Sequence, residues 1–126
     1  MKKIIVVYGN SNTGKTTTIG NIYDELVKQK AKVIKSKKRN GGDFTAVLYW
    51  RDLSIAISSM GDYRTAVDEY VRKFAKNDVF ITALNKRFAC IGSVWLEKAE
   101  VIYKIDKSKA DDGDNQKVMN EVISRV

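Results

Sequence analysis

The chain has 126 residues and a formal net charge of +8, and it contains no histidine and a single cysteine, Cys90. This composition excludes a histidine base, a histidine metal ligand and an intrachain disulfide. The length fits one domain, residues 1–126, with a real core. No apolar run approaches the roughly 20 residues of a membrane span, and no secretory signal pattern is found. The sequence therefore predicts a cytoplasmic protein outside the membrane.

The positive charge is concentrated in the first half of the chain. Residues 1–60 contain 11 Lys and Arg and four Asp and Glu, and the stretch Lys28–Arg39 has seven basic residues and no acidic one. Such a stretch can attract the phosphates of nucleotides or of nucleic acid. Only Phe44 and Tyr49 lie nearby to stack on bases, so a solvated helix end and loop is the alternative interpretation.

The first elements are indicated by apolar runs and stripes. Lys3–Tyr8 is predicted to be a strand buried on both faces, because its apolar run is unbroken. Lys15–Lys30 is predicted to be a helix, since its apolar residues recur at helical spacing. A short strand at Ala31–Ile34 and a break at Asn40-Gly41-Gly42 are expected to follow.

Two strand-like runs, Thr45–Trp50 and Leu53–Ser58, are separated only by Arg51-Asp52, and this spacing predicts a hairpin. The remaining elements are predicted as a helix at Tyr63–Lys76, a strand at Asp78–Leu84, a short helix at Ile91–Ala99, a strand at Val101–Ile105, a polar loop and helix cap at Lys107–Gln116, and a final helix. The alternation predicts a three-layer α/β domain whose sheet is mostly parallel with one antiparallel hairpin.

A phosphate-binding loop is predicted between the first strand and the first helix. The residues from Gly9 to Thr16 read GNSNTGKT and match G-x-x-x-x-G-K-[ST], the Walker A motif. Glycines let the backbone approach a ligand, and the N–H groups of the loop and helix start can bind phosphate oxygens. The predicted nucleotide-binding residues are Gly9, Asn10, Ser11, Asn12, Thr13, Gly14, Lys15, Thr16 and Thr17.

Residues 3–30 resemble the first strand, P-loop and first helix of the P-loop NTPase superfamily. The resemblance implies Mg²⁺-dependent binding of a nucleoside triphosphate, with phosphoanhydride cleavage or phosphoryl transfer. By this resemblance, Lys15 is expected to reach the β- and γ-phosphates, and the hydroxyl of Thr16 is expected to hold Mg²⁺. The remaining residues are compatible with the superfamily's α/β order.

A second Mg²⁺ ligand is expected at the end of a neighbouring strand. Asp62 is the best candidate, although four residues separate it from the end of the apolar run. Asp62 also precedes a predicted helix, where aspartate is a favoured N-cap, so both interpretations stay open. Ser58 and Ser59 at the strand end are alternatives that could bind the metal's water shell. Asp52 is a weaker candidate, because the hairpin places it at the opposite edge of the sheet.

Asn85-Lys86-Arg87 follows a predicted strand, at the edge where open α/β sheets bind ligands. Arg87 is therefore the candidate to stabilise charge developing in the transition state, and Lys86 is placed near the phosphates; an ordinary basic loop is the alternative. Asn85-Lys86 also resembles the start of the N-K-x-D motif of GTPases. Phe88 stands where the guanine-reading aspartate belongs, which favours ATP over GTP.

Two functions from different classes fit these motifs. The first is a small P-loop ATPase or kinase-like enzyme with catalytic residues Lys15, Asp62 and Arg87. The second is a non-catalytic module that responds to nucleotide and contacts nucleic acid or a protein through its basic face.

Overall fold

The computed structural model describes residues 1–38, 42–88 and 92–126. Within these ranges, strands and helices alternate for most of the chain. The strands are β1 (Lys3–Gly9), β2 (Lys32–Lys38), β3 (Phe44–Trp50), β4 (Leu53–Ser58), β5 (Val79–Asn85) and β6 (Val101–Asp106), and the helices are α1 (Lys15–Lys28), α2 (Arg64–Lys73), α3 (Ser93–Lys98) and α4 (Asp112–Arg125).

All six strands form one mixed sheet in the order β2-β3-β4-β5-β1-β6. The strands β4, β5, β1 and β6 run parallel, whereas β2, β3 and β4 pair antiparallel. The predicted α/β class, the mostly parallel sheet and the antiparallel hairpin are confirmed. Since β1 lies between two parallel neighbours, the loop that follows it opens at the carboxyl edge of the sheet.

The strand β1 is buried because helices cover both faces of the sheet. Its side chains alternate between two apolar clusters: Ile5 and Val7 pack with α1 and α4, and Ile4 and Val6 pack with α2 and α3. These four residues have no exposed surface. The unbroken apolar run that predicted a doubly buried strand is explained by these two cores.

A two-residue turn joins β3 to β4. Arg51 and Asp52 have φ angles of 50° and 64°, and positive φ at both central residues is the geometry of a type I′ hairpin turn. This turn lies at the edge of the sheet opposite the carboxyl ends of the parallel strands, as predicted for Asp52. Because β3 is antiparallel to β4, β3 begins where β4 ends, and Thr45 pairs with Ser58.

Several predicted boundaries are wrong. The second strand is not Ala31–Ile34 but β2, which continues to Lys38 because its lysine-rich half pairs with β3. The helix cap predicted within Lys107–Gln116 is confirmed, because the carboxylate of Asp111 accepts a hydrogen bond from the backbone N–H of Asp114 (2.7 Å); the loop part of that prediction is too long, since the helix already begins at Asp112. The pairing of β2 with β3 and the cap of α4 determine these two boundaries, although both segments are polar in composition.

Three helices are shorter than predicted. The helix α1 ends at Lys28 rather than Lys30, which has a left-handed φ of 70°. The helix α2 loses residues at both ends of its predicted range, and α3 ends at Lys98 rather than at Ala99. Frayed ends of this size are ordinary, because terminal carbonyl and N–H groups lack partners within the helix.

Parts of three predictions lie outside the described residues: the break at Asn40-Gly41, the end of the basic stretch at Arg39, and the start of the third helix at Ile91 beside Cys90. In the described part of the chain, no helix has the length and apolar content that crossing a bilayer requires.

Candidate functional site

The loop between β1 and α1 makes a sharp turn and leads directly into the first turn of α1. Asn12 and Gly14 both adopt left-handed φ angles, of 62° and 82°. Gly14 is the N-cap of α1, no side chain in the described part of the chain makes a capping hydrogen bond there, and the first turn contains no acidic residue. An uncapped helix start presents backbone N–H groups and the positive end of the helix dipole to an anion.

Both fixed glycines of the loop are required by close contacts with the segment that follows β6. A Cβ atom on Gly9 would overlap the carbonyl oxygen of Lys107 and lie 2.6 Å from Oγ1 of Thr13. A Cβ atom on Gly14 would lie 2.9 Å from Oδ1 of Asn115. The glycine spacing of the motif therefore also reflects packing of the loop against the start of α4.

The side chain of Lys15 folds back over the loop. Its Nζ donates a hydrogen bond to the carbonyl oxygen of Asn10 (2.7 Å), and Oγ1 of Thr13 donates to the same oxygen (2.8 Å). Burial lowers the pKa of the Lys15 ammonium, and the carboxylate of Asp62 partly offsets this by favouring the charged form. The ammonium thus lies at the loop, within the electrostatic reach of Asp62.

A cavity of about 550 Å³ opens beside the loop. It brings together Lys15, Asp62 and Arg87, the three predicted catalytic residues. Of the predicted nucleotide-binding residues, Gly9, Asn10 and Thr13 are not among the residues that line the cavity. Among the described residues, the lining consists of Ser11, Asn12, Gly14, Lys15, Thr16, Thr17, Ser59, Gly61, Asp62, Tyr63 and Arg87.

Asp62 is not the N-cap of α2. That position is held by Tyr63 in an extended conformation, and none of the described side chains, including that of Asp62, makes a capping hydrogen bond. The backbone carbonyl of Asp62 accepts a hydrogen bond of 2.5 Å from Nη2 of Arg87. The alternative interpretation of Asp62 as a helix cap is therefore wrong, and its carboxylate borders the cavity.

Lys86 does not line the cavity, contrary to its predicted place near the phosphates. Its ammonium pairs with the carboxylate of Asp106, 3.6 Å away at the end of β6. The reason is topological: the backbone N–H of Lys86 bonds to the carbonyl of Gly9 (3.0 Å), which keeps this residue beside β1 and its neighbour β6. Arg87 continues the turn and reaches Asp62.

Asn85 links the end of β5 to the loop. Its Nδ2 donates to Oγ of Ser11 (3.0 Å), and its Oδ1 accepts from the backbone N–H of Arg87 (3.0 Å). One buried amide thereby fixes both the loop and the turn that carries the arginine. The sequence placed Asn85 at a strand end but did not assign it this role, because the contact depends on β5 lying next to β1.

Lys107 lies beneath the loop and was not predicted to contribute. Its side chain is fully buried, and its Nζ donates to Oδ2 of Asp114 (2.6 Å) and to the carbonyl of Lys109. Its backbone N–H donates to the carbonyl of Tyr8 (2.8 Å). The hydrogen bond from Lys107 lowers the pKa of Asp114. The only signal in the sequence was a lysine after an apolar strand and before an acidic cluster, which usually indicates a solvated loop.

The donor set of the cavity fits Mg²⁺ that is also held by phosphate. Among the described residues no three Cys, Asp or Glu side chains are grouped to hold a metal ion. Mg²⁺ keeps several waters and is typically bound through one or two carboxylates plus substrate phosphates, so it needs no cage of protein ligands. The hydroxyl of Thr16 and the carboxylate of Asp62 supply hard oxygen atoms at the same cavity.

The chain was also compared with known proteins. No family model matches the sequence, and neither the curated proteins nor the solved structures contain a match to it.

Proposed function

We propose that the chain binds a magnesium-nucleoside triphosphate, with ATP as the nucleotide, and cleaves or transfers its terminal phosphoryl group. The observation that carries this proposal is the strand–loop–helix unit, in which an uncapped helix start and the buried Lys15 ammonium face one polar cavity. This unit follows β1 at the carboxyl edge of a mixed sheet with helices on both faces. That arrangement supports the resemblance to P-loop NTPases.

The loop supplies the binding energy for the triphosphate. Uncompensated N–H groups at the start of α1 can donate to phosphate oxygens, and the helix dipole adds to this attraction. Within the described ranges, the ammonium of Lys15 is held by one carbonyl, that of Asn10, at 2.7 Å. Phosphate oxygens can replace that carbonyl, because a charged acceptor makes a stronger hydrogen bond with an ammonium.

Thr16 and Asp62 are the residues that hold Mg²⁺ in this proposal. Bound with the triphosphate, the ion neutralises phosphate charge and fixes the reacting geometry. Arg87 borders the same cavity, and its guanidinium is oriented by the hydrogen bond to the carbonyl of Asp62. The remaining guanidinium donors can stabilise charge that develops on the transferred group. No general base is required, because phosphoryl transfer depends mainly on positioning and charge stabilisation.

The proposal predicts that Mg²⁺-ATP raises the midpoint of thermal unfolding. Ligand at about 100 times its dissociation constant stabilises a fold by roughly 2.7 kcal/mol. The change Lys15→Ala removes a charged hydrogen-bond donor, so we expect it to weaken ATP binding by about 10- to 100-fold. Thermal shift with ATP and with GTP, each with and without MgCl₂, measures occupancy and base preference, and phosphate release measures turnover.

The control for Lys15→Ala is Lys28→Ala, because Lys28 lies at the opposite end of the same helix. This control is expected to keep the affinity for ATP. Equal affinities of the two variants for ATP, or a wild-type protein that millimolar Mg²⁺-ATP and Mg²⁺-GTP leave unshifted, would contradict the proposed function. Binding without phosphate release, and without transfer to an acceptor, would instead favour the non-catalytic module.

A further inference from the structure

The carboxylate of Asp43, the residue before β3, is connected to the cavity by a hydrogen bond from Ser59. Asp43 immediately precedes β3, and Ser59 immediately follows β4. The antiparallel pairing places these two positions side by side at the carboxyl edge of the sheet. The hydroxyl of Ser59 donates to Oδ1 of Asp43 over 3.1 Å. Ser59 lines the cavity with Thr16 and Asp62, whereas Asp43 lines a neighbouring groove.

The hydrogen bonds of Ser59 determine where its proton points. A hydroxyl has one proton and two acceptor lone pairs. One lone pair accepts from the backbone N–H of Phe44 (2.9 Å). The carbonyl of Phe44 competes for the proton but lies 3.5 Å away, and the carboxylate at 3.1 Å makes the stronger, charge-assisted bond. With its proton directed at Asp43, the hydroxyl keeps one lone pair that can accept from a ligand.

The neighbouring serine does not offer the same group. Ser58 has no exposed surface, and its hydroxyl oxygen accepts from the backbone N–H of Met60 (3.3 Å). Ser58 is also absent from the cavity lining. Ser59 is itself only 2% exposed but lines the cavity, so it is the serine at the end of β4 that a bound ion and its water shell can meet.

We propose that Asp43 is a positioning residue of the magnesium site, which acts by holding the Ser59 hydroxyl as an acceptor for a water of the Mg²⁺ shell. This inference rests on the proposed function. The end of β4 itself carries serine rather than a carboxylate, and Asp62 follows only later in the chain. The proposed role of Asp43 explains how negative charge is nevertheless supplied at that strand end. A hydrogen bond to a carboxylate raises the basicity of the group that donates it, which strengthens its hold on a metal's water.

The test separates magnesium affinity from nucleotide affinity. Asp43→Asn and Ser59→Ala are compared with the unchanged protein and with Asp24→Asn, a matched control whose carboxylate lines the same neighbouring groove as Asp43. The probe is a non-hydrolysable ATP analogue, adenylyl imidodiphosphate. Its dissociation constant is measured in EDTA, and MgCl₂ is then titrated to find the concentration that gives half of the magnesium-dependent tightening.

We expect Asp43→Asn and Ser59→Ala each to raise the half-effective MgCl₂ concentration by about 10-fold, while affinity in EDTA is unchanged. Asp24→Asn is expected to change neither quantity. Thermal unfolding of each variant checks that it folds, and Asp43→Asn keeps the size and shape of the side chain.

Two results would overturn this inference and leave the proposed function standing. In the first, the variants keep the MgCl₂ dependence of the unchanged protein. In the second, they lose affinity in EDTA by the same factor as in MgCl₂, which indicates a structural role for the hydrogen bond. An unchanged protein that binds no nucleotide under either condition overturns both the proposed function and this inference.

Discussion

Lys15 and Lys107 are both buried at the same loop, but their ammonium groups are held in different ways. Lys15 donates to one backbone carbonyl, whereas Lys107 donates to the carboxylate of Asp114 and to a second carbonyl. A carbonyl carries no net charge, so Lys15 keeps its charge for a ligand. The charge of Lys107 is neutralised within the protein. We infer that Lys15 serves binding and Lys107 serves the shape of the loop.

The ion pair beneath the loop leads to a prediction about stability. Asp114→Ala leaves the fully buried ammonium of Lys107 without its carboxylate, and uncompensated buried charges of this kind typically cost about 3–5 kcal/mol. We expect a loss in the free energy of unfolding near the lower end of that range, because the side chain of Asp114 is 19% exposed. Denaturant unfolding measures the change.

Two variants serve as references for Asp114→Ala. Asp112→Ala removes a carboxylate from the same first turn of α4, and we expect it to cost only about 0.3–1 kcal/mol through the helix dipole. Lys107→Met removes the buried charge itself and leaves Asp114 within reach of water, so we expect a smaller loss than for Asp114→Ala. Equal losses for Asp114→Ala and Asp112→Ala would show that the ion pair contributes nothing.

The same pair predicts how stability depends on pH. The hydrogen bond from Lys107 holds the pKa of Asp114 in the folded protein below its ordinary value of 3.8. The unfolded chain binds the proton more tightly, so the stabilisation is complete above the unfolded pKa and is lost as pH falls through it towards the folded pKa. We expect the drop in unfolding free energy between pH 6 and pH 3 to be smaller in Asp114→Asn. Parallel pH profiles for both proteins would contradict this assignment.

The sequence predicted those site residues whose place follows from strand ends. Lys15, Asp62 and Arg87 come after three strands that run parallel, so their meeting at one edge required only the correct strand directions. Lys107 was missed because its contacts depend on how the segment after β6 packs beneath the loop, and Asp43 was missed because the predicted hairpin was not followed back to the residue before its first strand. Periodicity along the chain carries no information about such contacts.

Among the elements, β2 shows why pattern alone was insufficient. All seven residues of β2 are exposed, and four of them are lysine, so neither alternation nor an apolar run extends beyond Ile34. Its strand conformation comes from hydrogen bonds to β3, which is a tertiary effect. Lysines along an edge strand also discourage pairing with other chains. The alternative interpretation of the basic stretch, in which its charges are solvated, is therefore compatible with an exposed edge strand.

The hairpin β3–β4 was predicted correctly. It matters for the site because β3 runs antiparallel to β4. A reversal after Trp50 brings the start of β3 back to the edge where β4 ends. The residue before β3 therefore belongs to the same edge as the carboxyl ends of β4, β5 and β1. With this rule, Asp43 can be recognised from the sequence once the hairpin is assigned.

At the scale of the whole molecule, the positive charge is not confined to the cavity. The net charge is +8, and β2 carries an exposed row of lysines at the edge of the sheet far from β1. Lys35 and Lys37 also line a groove of about 530 Å³ with Lys73. A polyanion can therefore be attracted to this edge without entering the cavity that holds Lys15, and the two kinds of binding can be measured separately.

Binding of single-stranded DNA tests this separation. We expect it to weaken as salt rises, because each phosphate contact releases counterions with a slope of about 0.7 on a logarithmic plot. Replacing Lys32, Lys35 and Lys37 with Gln should reduce that slope by about 2.

The control replaces three lysines elsewhere, Lys2, Lys104 and Lys117, and so removes the same net charge. A polyanion held at the edge responds to the first set, whereas equal slopes for both sets would mean that overall charge alone attracts it. Affinity for Mg²⁺-ATP should change in neither variant, because the proposed nucleotide site is the loop between β1 and α1, away from both sets of lysines.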